Sequence, residues 1–149
     1  MIVGESNGTL NYYENDGSNT FTETTSFGSI DIGDHSTAYA VDWDGDGDLD
    51  LIVGESLGTI YYYENDGSDS FTETASFGLI DVGTYSKPHA VDWDNDGDYD
   101  LIVGNSNGTL KYYENDGADS FTETLNFASI DVEYYSAPFI IDWDGDGYL

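Results

Sequence analysis

The stretch Ala40-Val41-Asp42-Trp43-Asp44-Gly45-Asp46-Gly47-Asp48-Leu49-Asp50-Leu51-Ile52-Val53-Gly54 decides the fold. Its last four residues are a continuous apolar run, which suits a short strand buried on both faces. Ala40 and Val41 close another short strand. Between the two lies a loop of the form Asp-x-Asp-x-Asp-Gly-x-x-Asp. Residues 90–104 repeat the arrangement, with Asn95 and Tyr99 in place of Gly45 and Leu49. A third copy begins at Ile140 and runs to Leu149.

The repetition extends along the whole chain. Residues 1–50, 51–100 and 101–149 align without a gap. Tyr12-Tyr13-Glu14-Asn15-Asp16-Gly17 recurs at 62–67 and 112–117, and Phe21-Thr22-Glu23-Thr24 at 71–74 and 121–124. A period of about 40–50 residues rich in strand formers points to a β-propeller with one four-stranded sheet per repeat. Helical repeats of similar length need apolar stripes at 3.6-residue spacing, and none is present. The expectation is an all-β chain, residues 1–149, of three four-stranded blades.

The strands are clearest in the later copies. Ala90-Val91-Asp92 closes a short strand that follows Pro88, a residue suited to a strand start. After the Asp loop come Leu101-Ile102-Val103-Gly104. Asn107-Gly108 reads as a tight hairpin turn with positive φ at both central positions. Leu110-Lys111-Tyr112-Tyr113-Glu114 should be a half-exposed strand. Phe121-Thr122-Glu123-Thr124 alternates and is charged, as befits an outer edge. A looser stretch such as 77–85 returns the chain to the next blade.

The loop carries the chemistry. Carboxylates at positions 1, 3 and 5 can converge on one point. Gly at position 6 permits the sharp turn, as in the EF-hand loop. Position 7 offers its backbone carbonyl, and position 9 another carboxylate. An all-oxygen donor set selects a hard cation, and a flexible loop with six or seven oxygens suits Ca²⁺ better than Mg²⁺. The third loop ends before position 9, so it is a truncated site. A solvated Asp-Gly turn would explain one such loop. Two full copies in register are a different matter, because clustered carboxylates without a cation repel one another.

Composition agrees. There are 31 acidic residues against two basic ones, a formal net charge of −29. Chains this acidic are often disordered when aromatics are few. Here 13 tyrosines, seven phenylalanines and three tryptophans can build a core. The charge argues against nucleic acid and anionic membrane as partners, since both need basic patches. There are no cysteines, which rules out disulfides and thiolate metal sites. No apolar run is long enough for a membrane-spanning helix. Met1 already lies inside a repeat, so no signal peptide is expected ahead of it.

Residues 40–54 resemble the FG-GAP/VCBS repeat, the blade of integrin α-type propellers and of many surface proteins. The resemblance covers all three copies. It implies a Ca²⁺ loop between the first and second strands of each blade. The implied ligands are Asp42, Asp44, Asp46 and Asp50 by side chain with Asp48 by carbonyl. The second copy supplies Asp92, Asp94, Asp96, Asp100 and Asp98 in the same roles. Asp142, Asp144 and Asp146 remain in the truncated copy, where Tyr148 offers a carbonyl. The resemblance also implies an extracellular or cell-surface setting, and a lineage of lectins, accessory modules and adhesion proteins. Such similar copies fit recent amplification, excision from a longer array, or design from a consensus.

The phase of the repeat bears on assembly. The first copy opens on a second strand, and the third ends after a first strand and most of its loop. In a closed ring, Phe139-Ile140-Ile141 would pair beside Met1-Ile2-Val3, a velcro-type closure. Three blades fall short of the usual ~four to eight. The expectation is therefore self-association, with a homodimer of six blades preferred to a homotrimer of nine; an open monomer is the alternative.

Other residues point away from catalysis. Trp43, Trp93 and Trp143 are read as packing between blades rather than stacking on a sugar. Some strand tyrosines among 12–13, 61–63 and 112–113 should be exposed and free to touch a ligand. His35 and His89 occupy different repeat positions and lack partners for a zinc or catalytic site. No nucleophile motif appears. The expected function is a non-enzymatic calcium-binding scaffold, with a carbohydrate-binding or adhesion module as the alternative.

Overall fold

In the computed structural model every residue is described except 25, 26, 28, 29, 69, 75, 76, 78 and 79. The chain is all-β. Its strands are β1 (Ile2–Gly4), β2 (Leu10–Asn15), β3 (Phe21–Thr24), β4 (Thr37–Val41), β5 (Asp50–Gly54), β6 (Ile60–Asn65), β7 (Phe71–Thr74), β8 (Lys87–Val91), β9 (Asp100–Gly104), β10 (Leu110–Asn115) and β11 (Phe121–Thr124). They form three antiparallel meanders, β1-β2-β3, β4-β5-β6-β7 and β8-β9-β10-β11. The charged Phe-Thr-Glu-Thr strands stand at the outer edges, as their alternation predicts. Pro88 sits in the edge strand β8, where its missing N–H costs no ladder bond.

The apolar runs take the centres of their sheets. Every residue of β5 and β9 is buried. This follows from sheets stacked face to face. Leu10, Phe27, Ile30 and Ile32 of the first repeat pack on Leu51, Val53 and Tyr63 of the second sheet. The opposite face of that sheet presents Ile52, Ile60, Phe77 and Val82 to Leu101, Val103 and Tyr113 of the third. Alternation along β5 thus serves two interfaces at once.

A repeated latch joins each sheet to the next. Ser36 donates from its hydroxyl to the Thr9 carbonyl at 2.9 Å and accepts the Glu5 N–H at 3.0 Å. Ser86 does the same with Thr59 and Glu55, and Ser136 with Thr109 and Asn105. The latch brings the serine backbone against Gly4, Gly54 or Gly104. A Cβ at any of these glycines would run into the serine carbonyl. This explains the Gly that ends each apolar run.

First strands line up side by side. The Tyr39 ring lies 4.5 Å from that of His89, and His89 lies 5.4 Å from Phe139. The Ile140 N–H donates to His89 Nε2 at 3.3 Å. His89 is buried in this row and packs.

The structure departs from the sequence reading in four places. The first sheet has three strands, not four. Phe139, Ile140 and Ile141 form no strand and do not pair with β1, because they stay beside β8. The β9–β10 turn is not the expected two-residue type. Only Gly108 has positive φ there, and its N–H donates to the Asn105 carbonyl at 3.2 Å. This closes a four-residue turn that ends on glycine. Leu57, the counterpart of Asn107, accords with that turn, since leucine disfavours positive φ. Finally, β10 is largely buried. Tyr62, Tyr63, Tyr112 and Tyr113 are all core residues, because both faces of the strand are covered. In the return stretch 77–85, residues 78 and 79 lie outside the described residues.

Candidate metal centres

The first two Asp loops leave the ends of β4 and β8, and the third follows residues 137–141. Each loop is curled by its own side chains. Asp42 accepts the Gly45 N–H at 2.9 Å and the Gly47 N–H at 3.1 Å through its two oxygens. Asp44 accepts from Asp46 N, and Asp46 from Asp48 N. The second and third loops repeat the bond from position 6, Gly97 and Gly147, to Asp92 and Asp142. The loop amides, Gly147 first among them, hold the Asp142 carboxyl below its ordinary value. Position 6 has positive φ in all three copies, as the EF-hand comparison predicted. Position 4 does too, at Gly45, Asn95 and Gly145. That requirement is legible only in hindsight, since Asn is the non-glycine residue most at ease there.

The curl gathers carboxylates. Asp42, Asp44 and Asp50 form one group, Asp92, Asp94 and Asp96 a second, and Asp142, Asp144 and Asp146 a third. Within each group one oxygen per residue lies within 4.8 Å of the others. The donors are all oxygen, so a hard divalent cation fits them. Asp46 falls outside the first group and Asp100 outside the second. Asp48 and Asp98 send their carboxylates toward Gly67 and Gly117, and neither belongs to a carboxylate group. Tyr148 donates its N–H to Asp146 at 2.9 Å and is exposed.

Position 9 behaves differently from the rest. Asp50 and Asp100 are buried. Asp50 accepts three bonds: from Trp43 N at 3.0 Å, Tyr62 Oη at 3.0 Å and Asn65 N at 2.8 Å. Asp100 repeats them with Trp93, Tyr112 and Asn115. These carboxylates staple the loop to the second and third strands. Burial pushes Asp100 above its ordinary value, against the pull of those donors. Burial and the adjacent carboxylates push the phenols of Tyr62 and Tyr112 well above the ordinary tyrosine value.

Two of the three position-2 tryptophans pack. Trp43 contacts Phe77 and Tyr62 of its own blade and Phe121 of the next, and its Nε1 donates to Asp119 at 2.9 Å. Trp93 lies edge-on to Phe127. Trp143 is exposed. Beside Trp43 and Tyr99, stacked at 6.0 Å, a cleft of about 550 Å³ opens between the first two loops. No described helix is long and apolar enough to cross a membrane.

Comparison with known families agrees with this geometry. The model of the FG-GAP-like repeat matches residues 1–53, 42–103 and 92–149. Consecutive matches overlap on 42–53 and 92–103, which are the Asp loop and the apolar strand after it. No curated protein matches the chain. With its whole length matched by successive copies of one repeat, the chain belongs to the FG-GAP-like repeat family.

Proposed function

We propose that the chain is a non-enzymatic propeller-type scaffold whose Asp loops bind Ca²⁺ and use it structurally. The observation that carries this reading is the convergence of three carboxylates in every loop, held within 4.8 Å by the loop's own amides. Asp42, Asp44 and Asp50 would hold the first ion, with Asp46 and the Asp48 carbonyl completing its shell. Asp92, Asp94 and Asp96 would hold the second, with Asp100 and the Asp98 carbonyl. Asp142, Asp144, Asp146 and the Tyr148 carbonyl form a poorer third site. A bound cation would cancel repulsion that otherwise strains the loops. The family likeness favours an extracellular setting, where modules of this kind bind at about 10⁻⁴–10⁻³ M. Raising Ca²⁺ over the chelated protein should raise the melting temperature. No rise up to 10-fold above about 10⁻³ M would overturn the reading.

A carbohydrate-binding reading rests on a different observation. The cleft between the first two loops exposes part of Tyr99 beside Trp43 and is rimmed by Asp44, Asp98 and Asp119. An apolar ring face among carboxylates suits a sugar. A glycan array probed with calcium-loaded protein separates the two readings: a reproducible ligand supports the second, and a blank array leaves the scaffold alone.

A further inference from the structure

The cleft between the first two Asp loops is rich in hydrogen-bond acceptors and short of free donors. Asp42, Asp44, Asp98 and Asp119 line it. Of the donors there, Trp43 Nε1 is spent on Asp119 at 2.9 Å and Asn115 Nδ2 on the Tyr99 carbonyl at 3.1 Å. The backbone N–H groups of Gly45, Gly97, Gly117 and Ala118 are spent on side chains of their own loops and turns. Among the lining side chains this leaves the Tyr99 hydroxyl.

The acceptors are not used up in the same way. Asp98 is half-buried, and its carboxylate accepts no hydrogen bond from any described residue. Asp119 accepts one, from Trp43. Neither belongs to a carboxylate group of the loops, so their charge stays with the cleft whatever the loops bind. A ligand here has to bring donors and positive charge. The chain's net charge of −29 draws such a ligand in.

The walls narrow the choice. Tyr99 lies stacked on Trp43, with ring planes at 30°, and is 36% exposed. Aromatic faces attract a cation and take up the apolar stem behind it. Asp44, Asp98 and Asp119 come from three separate segments: the first loop, the second loop and the β10–β11 turn. Acceptors so placed match an ammonium, whose three donors diverge, better than a guanidinium, whose donors lie in one plane. At about 550 Å³ the cleft has room for a carbon chain as well as the nitrogen. Every wall lies between residues 42 and 119, and neither of the chain's own lysines lines it.

We propose that this cleft binds a primary ammonium on an alkyl stem, supplied by another molecule. The nitrogen is held by Asp98, Asp119 and the second oxygen of Asp44, and the stem lies on Tyr99 and Trp43. The proposal goes beyond the scaffold reading and does not rest on its metal.

Titration calorimetry at about 0.15 M salt, with Ca²⁺ present, tests it. n-Pentylammonium should bind. Pentyltrimethylammonium keeps the charge but loses the donors, and 1-pentanol loses both. Each should bind at least about tenfold more weakly. A capped Gly-Lys-Gly peptide carries the same group on a backbone. Tighter binding than the free amine identifies a lysine side chain as the source, and weaker binding a small amine.

Asp98→Asn and Asp119→Asn should each weaken n-pentylammonium by about tenfold. Asparagine at 119 can still accept from Trp43, and its counterpart Asn19 also has positive φ, so the fold is kept. Tyr99→Leu, which copies Leu49, should cost about threefold. Glu23→Gln, exposed on the first sheet's outer edge, should change binding less than about twofold, because it alters only the distant charge.

Equal binding of the trimethylated probe overturns the proposal. So does a loss in Glu23→Gln as large as in Asp119→Asn, or no binding of either amine up to about 10⁻² M. A neutral sugar that binds, is lost in Tyr99→Leu and has no amine competitor gives the cleft to carbohydrate and also overturns it. In chelator the Asp98 and Asp119 losses should persist. Absent Ca²⁺ binding with those losses intact would sink the metal reading alone.

Discussion

The phenol of Tyr62 donates to Asp50 Oδ2 at 3.0 Å, inside the protein, where the carboxylate also accepts two backbone N–H groups. Tyr112 and Asp100 stand in the same relation one repeat later. The last position of each complete loop is therefore a structural staple as well as a member or neighbour of the carboxylate group. Replacing Asp50 by alanine strands three donors. It should cost about 2–4 kcal/mol, more than Tyr62→Phe, which strands none and should cost about 1 kcal/mol. Urea unfolding of the calcium-free variants measures both, so that lost metal binding does not enter.

The side chains of Asp44 and Asp48 separate in function. Asp44 belongs to the first carboxylate group, whereas Asp48 leans toward the turn at Gly67. Asp44→Asn should weaken Ca²⁺ binding at the first loop on the order of tenfold, about 1.4 kcal/mol. Asp48→Asn should leave it within about twofold, since its carboxylate lies beside Gly67 and outside the group. Titration calorimetry on the two variants decides.

Gly54 and Gly104 are held to glycine by the serine latch. Their φ values are ordinary, so the constraint is space and not backbone strain. Gly54→Ala should destabilise by about 1–3 kcal/mol as the Ser86 backbone is pushed away. Gly17→Ala is a useful contrast. A Cβ there meets nothing but adopts positive φ, at a cost of about 1 kcal/mol. Denaturation midpoints of the two variants should fall in that order.

His89 makes stability depend on pH. Burial holds its imidazole below the ordinary value of 6.5. Below about 6.5 the unfolded chain takes up a proton that the folded chain refuses. Its contribution is intact above that pH and is lost as pH falls toward the depressed folded value. Tyr39 is the titratable side chain packed on it, and burial pushes that phenol up, so it stays neutral throughout. His89→Phe, the residue found at position 139, should flatten the fall in melting temperature between pH 7 and pH 5.5. An unchanged slope would mean that carboxylates alone set it.

Much of this was legible from residues. The Leu-Ile-Val-Gly runs announced doubly buried strands, and β5 and β9 are such strands. Phe-Thr-Glu-Thr announced an edge. The Asp loops announced convergence. What stayed hidden depended on neighbours far along the chain. Tyr62 and Tyr63 look half-exposed by alternation, yet two stacked sheets cover both faces. Asp50 looks like one ligand among five, but its three donors come from Trp43, Tyr62 and Asn65, a set that only the folded hairpin assembles. Asn107-Gly108 looked like one turn and is another, because the Asn105 carbonyl captures the glycine N–H.

The serine latch has a consequence for how such a chain changes over generations. Ser36, Ser86 and Ser136 each close on a partner 31 residues back, less than one repeat away. A duplicated or deleted repeat therefore carries its own joint with it. Length can vary by whole units without any surface having to be reinvented, so a gain or loss of whole repeats disturbs the joint less than a point mutation at Gly4, Gly54 or Gly104.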